Sequence, residues 1–462
     1  MKFKRMIIAT SILSTCMALT SCSFNLPTTI VDKNEDITPI YDLYVSNGGT
    51  LSYDEWLTSI KGEKGDKGDT GANGLSAYEI YVKYHPEYTG SEEEWINSLA
   101  KGEFKDTETS ANEILENVIY DDFQIHFMML GNANAGDSIY IKAGDNDILI
   151  DAGSKSSSAT TIENYIDQYC TDKKLEYVIA THGDSDHISA FPSIFSYYDV
   201  DTTIDFTYTT KTTATYNKYL TARDTYSKNH FTSKDCFYEE NGGQRVYSLG
   251  TDKNGVEMNF EIIYNYYYTT PATDENNNSV VTMFNYGKHH YLLSGDLEKE
   301  GEEKLAEYYD GSTKDKTLPE VDLFKAGHHG SKTSSNDCLL SLIKPKMCVV
   351  SCCAGTIEYT VNRVNTFPTQ DFINRIAKYT DRVYITSMWN ENANSFEAMN
   401  GNVVVSSNGK NVGLKGSNNV TKLKDTTWFS HKVYVDSKDK IVSNDTEGAT
   451  KVPCRTMPEE WK

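Results

Sequence analysis

The sequence predicts an α/β (α+β) protein with its chemistry gathered at strand ends. Three observations point there. Short apolar runs such as Leu175–Ala180 (LEYVIA), Ile148–Ile150 and Tyr291–Leu293 have the length and character of buried strands. Each runs into a carboxylate, a histidine or a glycine turn: Asp151-Ala152-Gly153, Thr181-His182-Gly183 and Ser294-Gly295-Asp296. After Asp186, the stretch His187-Ile188-Ser189-Ala190-Phe191 reads as the first turn of a helix, which completes a strand–turn–helix unit.

The turn of that unit is the densest chemical signal in the chain. His182-Gly183-Asp184-Ser185-Asp186-His187 carries four strong metal ligands in six residues. They form two pairs, His182 with Asp184 and Asp186 with His187. One ion rarely takes four ligands from so short a loop, so the pairs point to two ions side by side. The bland alternative is a polar surface loop. An EF-hand loop does not fit, because it needs alternating oxygen ligands, a mid-loop glycine and a distal glutamate. Asp151 and Asp296 both end apolar strands, where an unpaired carboxylate is costly to bury. A metal, or a histidine held on a metal, removes that cost. For Asp151 a turn-capping role before Gly153 is the competing reading.

The HxDxDH motif resembles the metallo-β-lactamase fold superfamily, in particular the hydrolase domain of ComEC/Rec2-type competence proteins. Further segments resemble that family in the same order. Asn134–Ile141 looks like its Gly-Asp-Ser strand and Ile148–Gly153 its strand ending in Asp-x-Gly. His290–Asp296 looks like its strand ending in Gly-Asp, and Leu323–Ser335 its HHGSKTSS signature. The resemblance covers roughly residues 120 to 430 and implies a four-layer αββα sandwich. It implies that His182, Asp184 and Asp296 hold one divalent ion and that Asp186, His187, Asp296 and His329 hold the other. Asp296 bridges, and Asp151 supports the histidine loop from behind. In the family the histidine before glycine is the ligand, which favours His329 and leaves His328 to reach the substrate or leaving group. Adjacent residues of an extended segment point opposite ways, so the two do not share an ion. Lys332, with the hydroxyls of Ser331 and Ser334, is a candidate phosphate contact; otherwise it is a solvated lysine.

Two departures from the family pattern stand out. Many members have HxHxDH; Asp184 makes the first position richer in oxygen and shifts preference from zinc towards manganese without excluding zinc. Members also often carry another histidine before the bridging aspartate. Here that interval holds His230, His289 and His290, none in a recognisable motif, and His230 reads as a surface residue. Where the competence-type branch has Asn…His-Pro, this chain has Asn362–Pro368 with Phe367 before the proline.

The two ends of the chain read differently. Residues 1–21 form a signal peptide: Lys2, Lys4 and Arg5 precede the mostly apolar Met6–Leu19, too short for a comfortable membrane span. Leu19-Thr20-Ser21-Cys22 resembles a bacterial lipobox, so Cys22 is the expected lipidation site and membrane anchor. Residues 22–40 read as a tether. Residues 41–102 hold two repeat units around a collagen-like spacer, 62–74, with glycine at every third position. Each unit has Ser-x-x-Glu before an apolar pair, at Ser52–Glu55 and Ser91–Glu94, which marks the start of a short helix. The hydrolase domain is expected over 118–430 and a C-terminal tail over 431–462.

Composition sets limits. The net charge is −22, and removing residues 1–21 deletes three basic and no acidic residues, giving −25. That disfavours tracking along nucleic acid, which needs many cationic contacts, but not a single phosphate at two metal ions. Nine cysteines occur; without Cys16 and Cys22 seven remain, an odd number that argues against a full disulfide framework. Cys348 and Cys352 fall on one face of a strand read over Met347–Ala354, about 13 Å apart at ~3.3 Å per residue, and read as small core residues. Tyr266-Tyr267-Tyr268 either line a cleft or pack. The expected function is an exported, membrane-anchored hydrolase that uses two divalent ions (Zn or Mn) and the hydroxide they share. The expected substrate is a phosphodiester or other phosphate ester, such as wall polymer or short nucleic acid, with Asp186, His328 and Lys332 as the catalytic set. The alternatives are an inactive surface adhesin or wall-binding scaffold, and a β-lactam or other ester or amide hydrolase. Oligomeric state is not legible.

Overall fold

The computed structural model describes residues 50, 52, 76, 78, 90–101, 114–390 and 395–462. The signal peptide, Cys22, the tether and the spacer 62–74 lie outside these, as does the first repeat apart from isolated positions. The chain divides into two compact units, Met1–Thr107 and Glu108–Lys462.

In the first unit, helix α1 (Glu92–Lys101) begins at the second Ser-x-x-Glu. The Ser91 hydroxyl accepts from the Glu94 amide at 3.3 Å, and the Glu94 carboxylate accepts from the Ser91 amide at 2.7 Å. This reciprocal cap satisfies two orphan donors, and Glu92, Glu93 and Glu94 complement the positive end of the helix.

In the second unit the described strands form two large sheets. The first contains β1 (Ile114–Glu116), β2 (Phe123–Phe127), β3 (Ile139–Ala143), β4 (Asn146–Ile150), β5 (Lys174–Ala180), β6 (Asp199–Asp205), β7 (Ser227–Thr232), β16 (Val403–Ser407) and β17 (Val412–Gly416). Their order is β1-β17-β16-β2-β3-β4-β5-β6-β7. The second contains β8 (Val246–Thr251), β9 (Glu257–Ile263), β10 (Val281–Tyr286), β11 (His289–Leu293), β12 (Leu323–Lys325), β13 (Met347–Ala354), β14 (Val383–Asn390) and β15 (Ser395–Ala398), in the order β15-β14-β13-β12-β11-β10-β9-β8. Each sheet has a parallel core, β4 to β7 in the first and β11 to β14 in the second. Parallel pairs need crossovers. Helices α2 (Ala159–Ile166), α3 (Ser185–Ile188), α4 (Phe191–Tyr197) and α5 (Ala214–Tyr226) supply them in the first, and α7 (Lys299–Tyr308), α8 (Asp337–Ile343) and α9 (Gln370–Ile376) in the second. Between the halves lies α6 (Ser233–Tyr238).

Period-two alternation assigns the faces. Along β13, Met347 and Val349 join the core shared with the first sheet. Cys348, Val350 and Cys352 join a second core with Leu305, Leu339, Leu340 and Phe372 of α7, α8 and α9. Between the sheets, Phe123 stacks on Tyr291 at 5.2 Å and Tyr177 meets Phe260 edge-on at 5.1 Å. On the outer face of the first sheet, His126 bonds the Tyr165 hydroxyl of α2 at 2.9 Å. The layers are therefore helix, sheet, sheet, helix. Cys348 and Cys352 are buried free thiols, and Tyr268 is buried while Tyr266 is exposed.

Residues 431–462, read from the sequence as a tail, are built into this unit. Strands β18 (Lys432–Val435) and β19 (Thr450–Pro453) pair antiparallel. Val433, Val435, Cys454 and Trp461 join the second core, and the Trp461 indole donates to the Thr380 carbonyl at 3.0 Å.

Candidate metal centre

In open parallel sheets ligands gather beyond the carboxyl ends of the strands. Asp151 follows β4, His182–His187 follow β5, Asp296 follows β11 and His329 follows β12, so the topology alone brings the four segments to one place.

Asp151 is the keystone. It takes a left-handed conformation (φ 58°) at the end of β4, which aspartate tolerates better than most residues. Its carboxylate accepts from the Thr181 amide, the Thr181 hydroxyl and His187 Nδ1, each at 2.7 Å. His182 Nδ1 lies 3.0 Å from the same Thr181 hydroxyl, whose hydrogen is already given to Asp151, so Nδ1 donates. His329 Nδ1 donates to the Ser351 carbonyl at 2.8 Å. With every Nδ1 engaged, the three Nε2 atoms face the carboxylates. His182 Nε2 is 3.6 Å from Asp184, and His187 Nε2 is 3.1 Å from Asp296. His329 Nε2 is 3.5 Å from both Asp186 and Asp296.

These residues fit divalent metal ions. All three histidines are fully buried, and among the described residues the Nε2 atoms of His182 and His329 have no hydrogen-bond partner. An orphaned buried polar atom is costly, and a cation removes the cost. Ligand atoms of Asp137, His187, Asp296 and His329 lie within 4.8 Å of one another. A mixed nitrogen and oxygen set of this kind suits zinc or manganese. Burial pushes the His182 imidazole down to about 4. Burial also opposes the charged form of His187, but Asp296 and Asp151 outweigh it and raise its pKa. For Asp296, burial opposes ionisation and His187, His329 and Lys325 prevail, holding it well below the usual carboxylate range.

Asp137 and Lys325 were missed as site residues in the sequence reading. Lys325 is 1% exposed at the end of β12; its ammonium lies 2.6 Å from Asp137 and 3.4 Å from Asp296 and donates to the Gly295 carbonyl at 2.8 Å. The lysine that interrupts the apolar run Leu323-Phe324-Lys325-Ala326 was the available signal. Asp137 approaches the histidines on their Nδ1 side, at 3.8 Å from His187 and 3.7 Å from His329, where those atoms are already engaged. It is therefore the charge partner of Lys325. Asp186 is the carboxylate on the Nε2 side. Glu275 was also missed: it accepts from the Gly183 amide at 3.0 Å and from the Thr209 and Thr210 hydroxyls at 2.8 Å, holding the histidine loop to the segment after β6.

The two adjacent histidines separate for a reason other than an extended backbone. His328 and His329 are both left-handed, with φ of 45° and 54°, in a tight turn. His329 enters the cluster, while His328 stays partly exposed and bonds Glu298 at 3.0 Å. Lys332 does not join the cluster. It is exposed, and among the described residues it makes no ion pair with the site carboxylates. Its turn is held by Arg375, which donates to the Lys332 and Ser334 carbonyls at 3.0 and 2.7 Å. Ser331 and Ser334 are buried, and the Ser331 hydroxyl bonds that of Thr333 at 2.9 Å. On the open side of the cluster a different cation, Lys211, pairs with Asp184. His230 pairs with Asp205 at 2.8 Å and His289 with Asp322 at 2.9 Å, away from the cluster. Phe367 packs its ring 5.6 Å from His328 and 6.1 Å from His329, an apolar wall where the competence-type pattern has histidine. An open cleft of ≈ 580 Å³ reaches Asp186 past Asn134, Ser154, Lys155, Ser185 and Tyr359.

Residues 131–205 match the metallo-β-lactamase superfamily. The chain is 27% identical over 216 residues to Recombination protein 2 of Haemophilus influenzae, covering 46% of this chain and 22% of that protein. It is 35% identical over 81 residues to ComE operon protein 3 of Bacillus subtilis, covering 18% and 9%. The chain thus spans about a fifth or less of the length of the curated relatives it matches. Among solved structures, the metallo-β-lactamase fold protein YhfI of Bacillus subtilis aligns with a TM-score of 0.31 at 11% identity, over 57% of this chain and 96% of that one. The fold is the metallo-β-lactamase sandwich. Its buried His/Asp cluster is one that could hold divalent metal ions.

Proposed function

We propose that this protein is an exported, lipid-anchored hydrolase of phosphodiester or other phosphate-ester bonds that works with two divalent ions, zinc or manganese. One observation carries the reading: buried imidazole nitrogens without partners face Asp184, Asp186 and Asp296 from both sheets. His182, Asp184 and Asp296 would hold one ion, and Asp186, His187, Asp296 and His329 the other. Ions held there would polarise a phosphoryl oxygen and lower the pKa of water.

The chain's own residues supply the rest. Asp151 fixes the tautomers of His182 and His187, and the Ser351 carbonyl fixes that of His329. Lys325 offsets the charge of Asp137 and Asp296 from behind and, with His187 and His329, favours the ionised form of Asp296. His328, oriented by Glu298, passes a proton to the leaving oxygen. Phe367 excludes water from one side. Cys22 would carry the lipid that holds the protein at the outer face of the membrane. The acidic chain favours short or local substrates, such as wall polymer or short nucleic acid. An inactive adhesin would have no need of this supported set of ligands.

The test is a hydrolysis screen of the mature protein with manganese and with zinc, on a chromogenic phosphodiester, single-stranded DNA, wall polymer and a cephalosporin. Chelator-sensitive turnover of a phosphodiester above that of the cephalosporin is expected. No turnover by protein of verified metal content would remove the reading.

A further inference from the structure

The site has a closed side and an open side. Asp151 and Asp296 have side chains 1–2% exposed, whereas Asp184 and Asp186 are 28% and 21% exposed. One neutral or cationic donor stands over each open carboxylate. The Lys211 ammonium pairs with Asp184, and the Tyr359 hydroxyl donates to Asp186 at 3.1 Å. Resting on the phosphate-ester reading above, we propose that Lys211 and Tyr359 are the substrate-contacting donors of this centre and grip the non-bridging oxygens of a bound phosphate.

Both side chains are delivered by anchored segments. Lys211 follows β6, where Glu275 accepts from the Thr210 amide at 2.6 Å and from the Thr209 hydroxyl at 2.8 Å. Glu275 also holds Gly183, so Lys211 is tied to the histidine loop itself. Tyr359 follows β13. Its neighbour Glu358 accepts from the Ala135 amide at 2.7 Å, and its own ring packs on Phe367 at 5.4 Å. Tyr359 is nevertheless 57% exposed and lines the open cleft together with Asp186.

The chemistry is complementary. Cations held by Asp184 and Asp186 would draw on the carboxylate charge and so loosen its hold on the Lys211 ammonium and the Tyr359 hydroxyl. Those two donors match the spread negative charge of a phosphoryl group. The pair also does what the sequence reading assigned to Lys332, Ser331 and Ser334, whose side chains are exposed elsewhere or buried.

The experiment is calorimetric binding of inorganic phosphate to the purified full chain loaded with manganese or zinc, with metal content measured on each protein. Lys211→Ala and Tyr359→Phe should each keep the wild-type metal content and weaken phosphate about 10- to 100-fold, as for a lost hydrogen bond to a charged group. Lys211→Arg should recover part of the loss. Wild-type phosphate affinity in both variants would overturn the inference and leave the phosphate-ester reading intact. So would a gain in metal content or metal affinity in Lys211→Ala with unchanged phosphate binding, which would mark Lys211 as a counter-charge to the ligands. Failure of the loaded wild type to bind phosphate, together with no phosphodiester turnover, would remove both readings.

Discussion

Gly153 shows how tightly single atoms define this centre. A methyl group there would lie 1.4 Å from the Asp186 carbonyl oxygen, because the two turns cross backbone to backbone. Gly153→Ala must push the histidine loop away, so metal content should fall and stability drop by about 1–3 kcal/mol, checked by elemental analysis and urea unfolding. Asp151→Ala should lower metal affinity about 10- to 100-fold, since it releases two imidazoles without removing a ligand, and metal titration reads this directly. Glu302 offers a pH test. Its carboxylate accepts from the Ser335 and Asn336 amides at 2.6 and 2.8 Å, yet burial pushes it up to about 7. A carboxyl that binds its proton more tightly when folded contributes stability that is complete below the unfolded pKa and is lost as pH rises through about 7. Glu302→Gln should therefore flatten the decline between about pH 4.5 and 7, measured by unfolding at a series of pH values. At this scale His182, Asp184, Asp186 and His187 stand out because they share one short loop, and Asp296 and His329 because each follows a strand in a segment that resembles the family's, and the structure brings all six together. Lys211, Tyr359 and Glu275 do not stand out, because each reaches the site from a segment with no motif of its own, and only the packing of two sheets brings them together.

The strands that carry the site were legible as short apolar runs. The run Met347–Ala354 is β13 to the residue: it is apolar except for Ser351, and its length is that of a buried strand. The last thirty or so residues were not legible as structure. The alternation of Val433 and Val435 runs through only four residues, and the other apolar positions up to Trp461 are scattered among polar and charged neighbours, so no sustained period announces the hairpin. The β18–β19 hairpin nonetheless brings Arg455 to 1% exposure against the Thr366 hydroxyl and Trp461 to 5%. Trp461→Ala should cost about 3–5 kcal/mol, as for other large aromatics truncated in a core, and thermal unfolding would show it. Unchanged stability would mean that the hairpin is an ornament.

The whole molecule is strongly acidic, and its site concentrates carboxylates further. Divalent ions that bind only the folded chain should stabilise it by about 4 kcal/mol at a thousandfold excess over Kd, so EDTA should lower Tm by several degrees and added manganese or zinc restore it. The effect should fade on acidification, because the imidazoles must lose protons to bind metal. The ligands follow β5 in one sheet and β11 and β12 in the other, so ions at this seam would rivet two slabs that otherwise meet mainly through packed side chains. Stripping them should then be felt far from any ligand, as faster hydrogen exchange along the facing strands while the outer helices keep their protection.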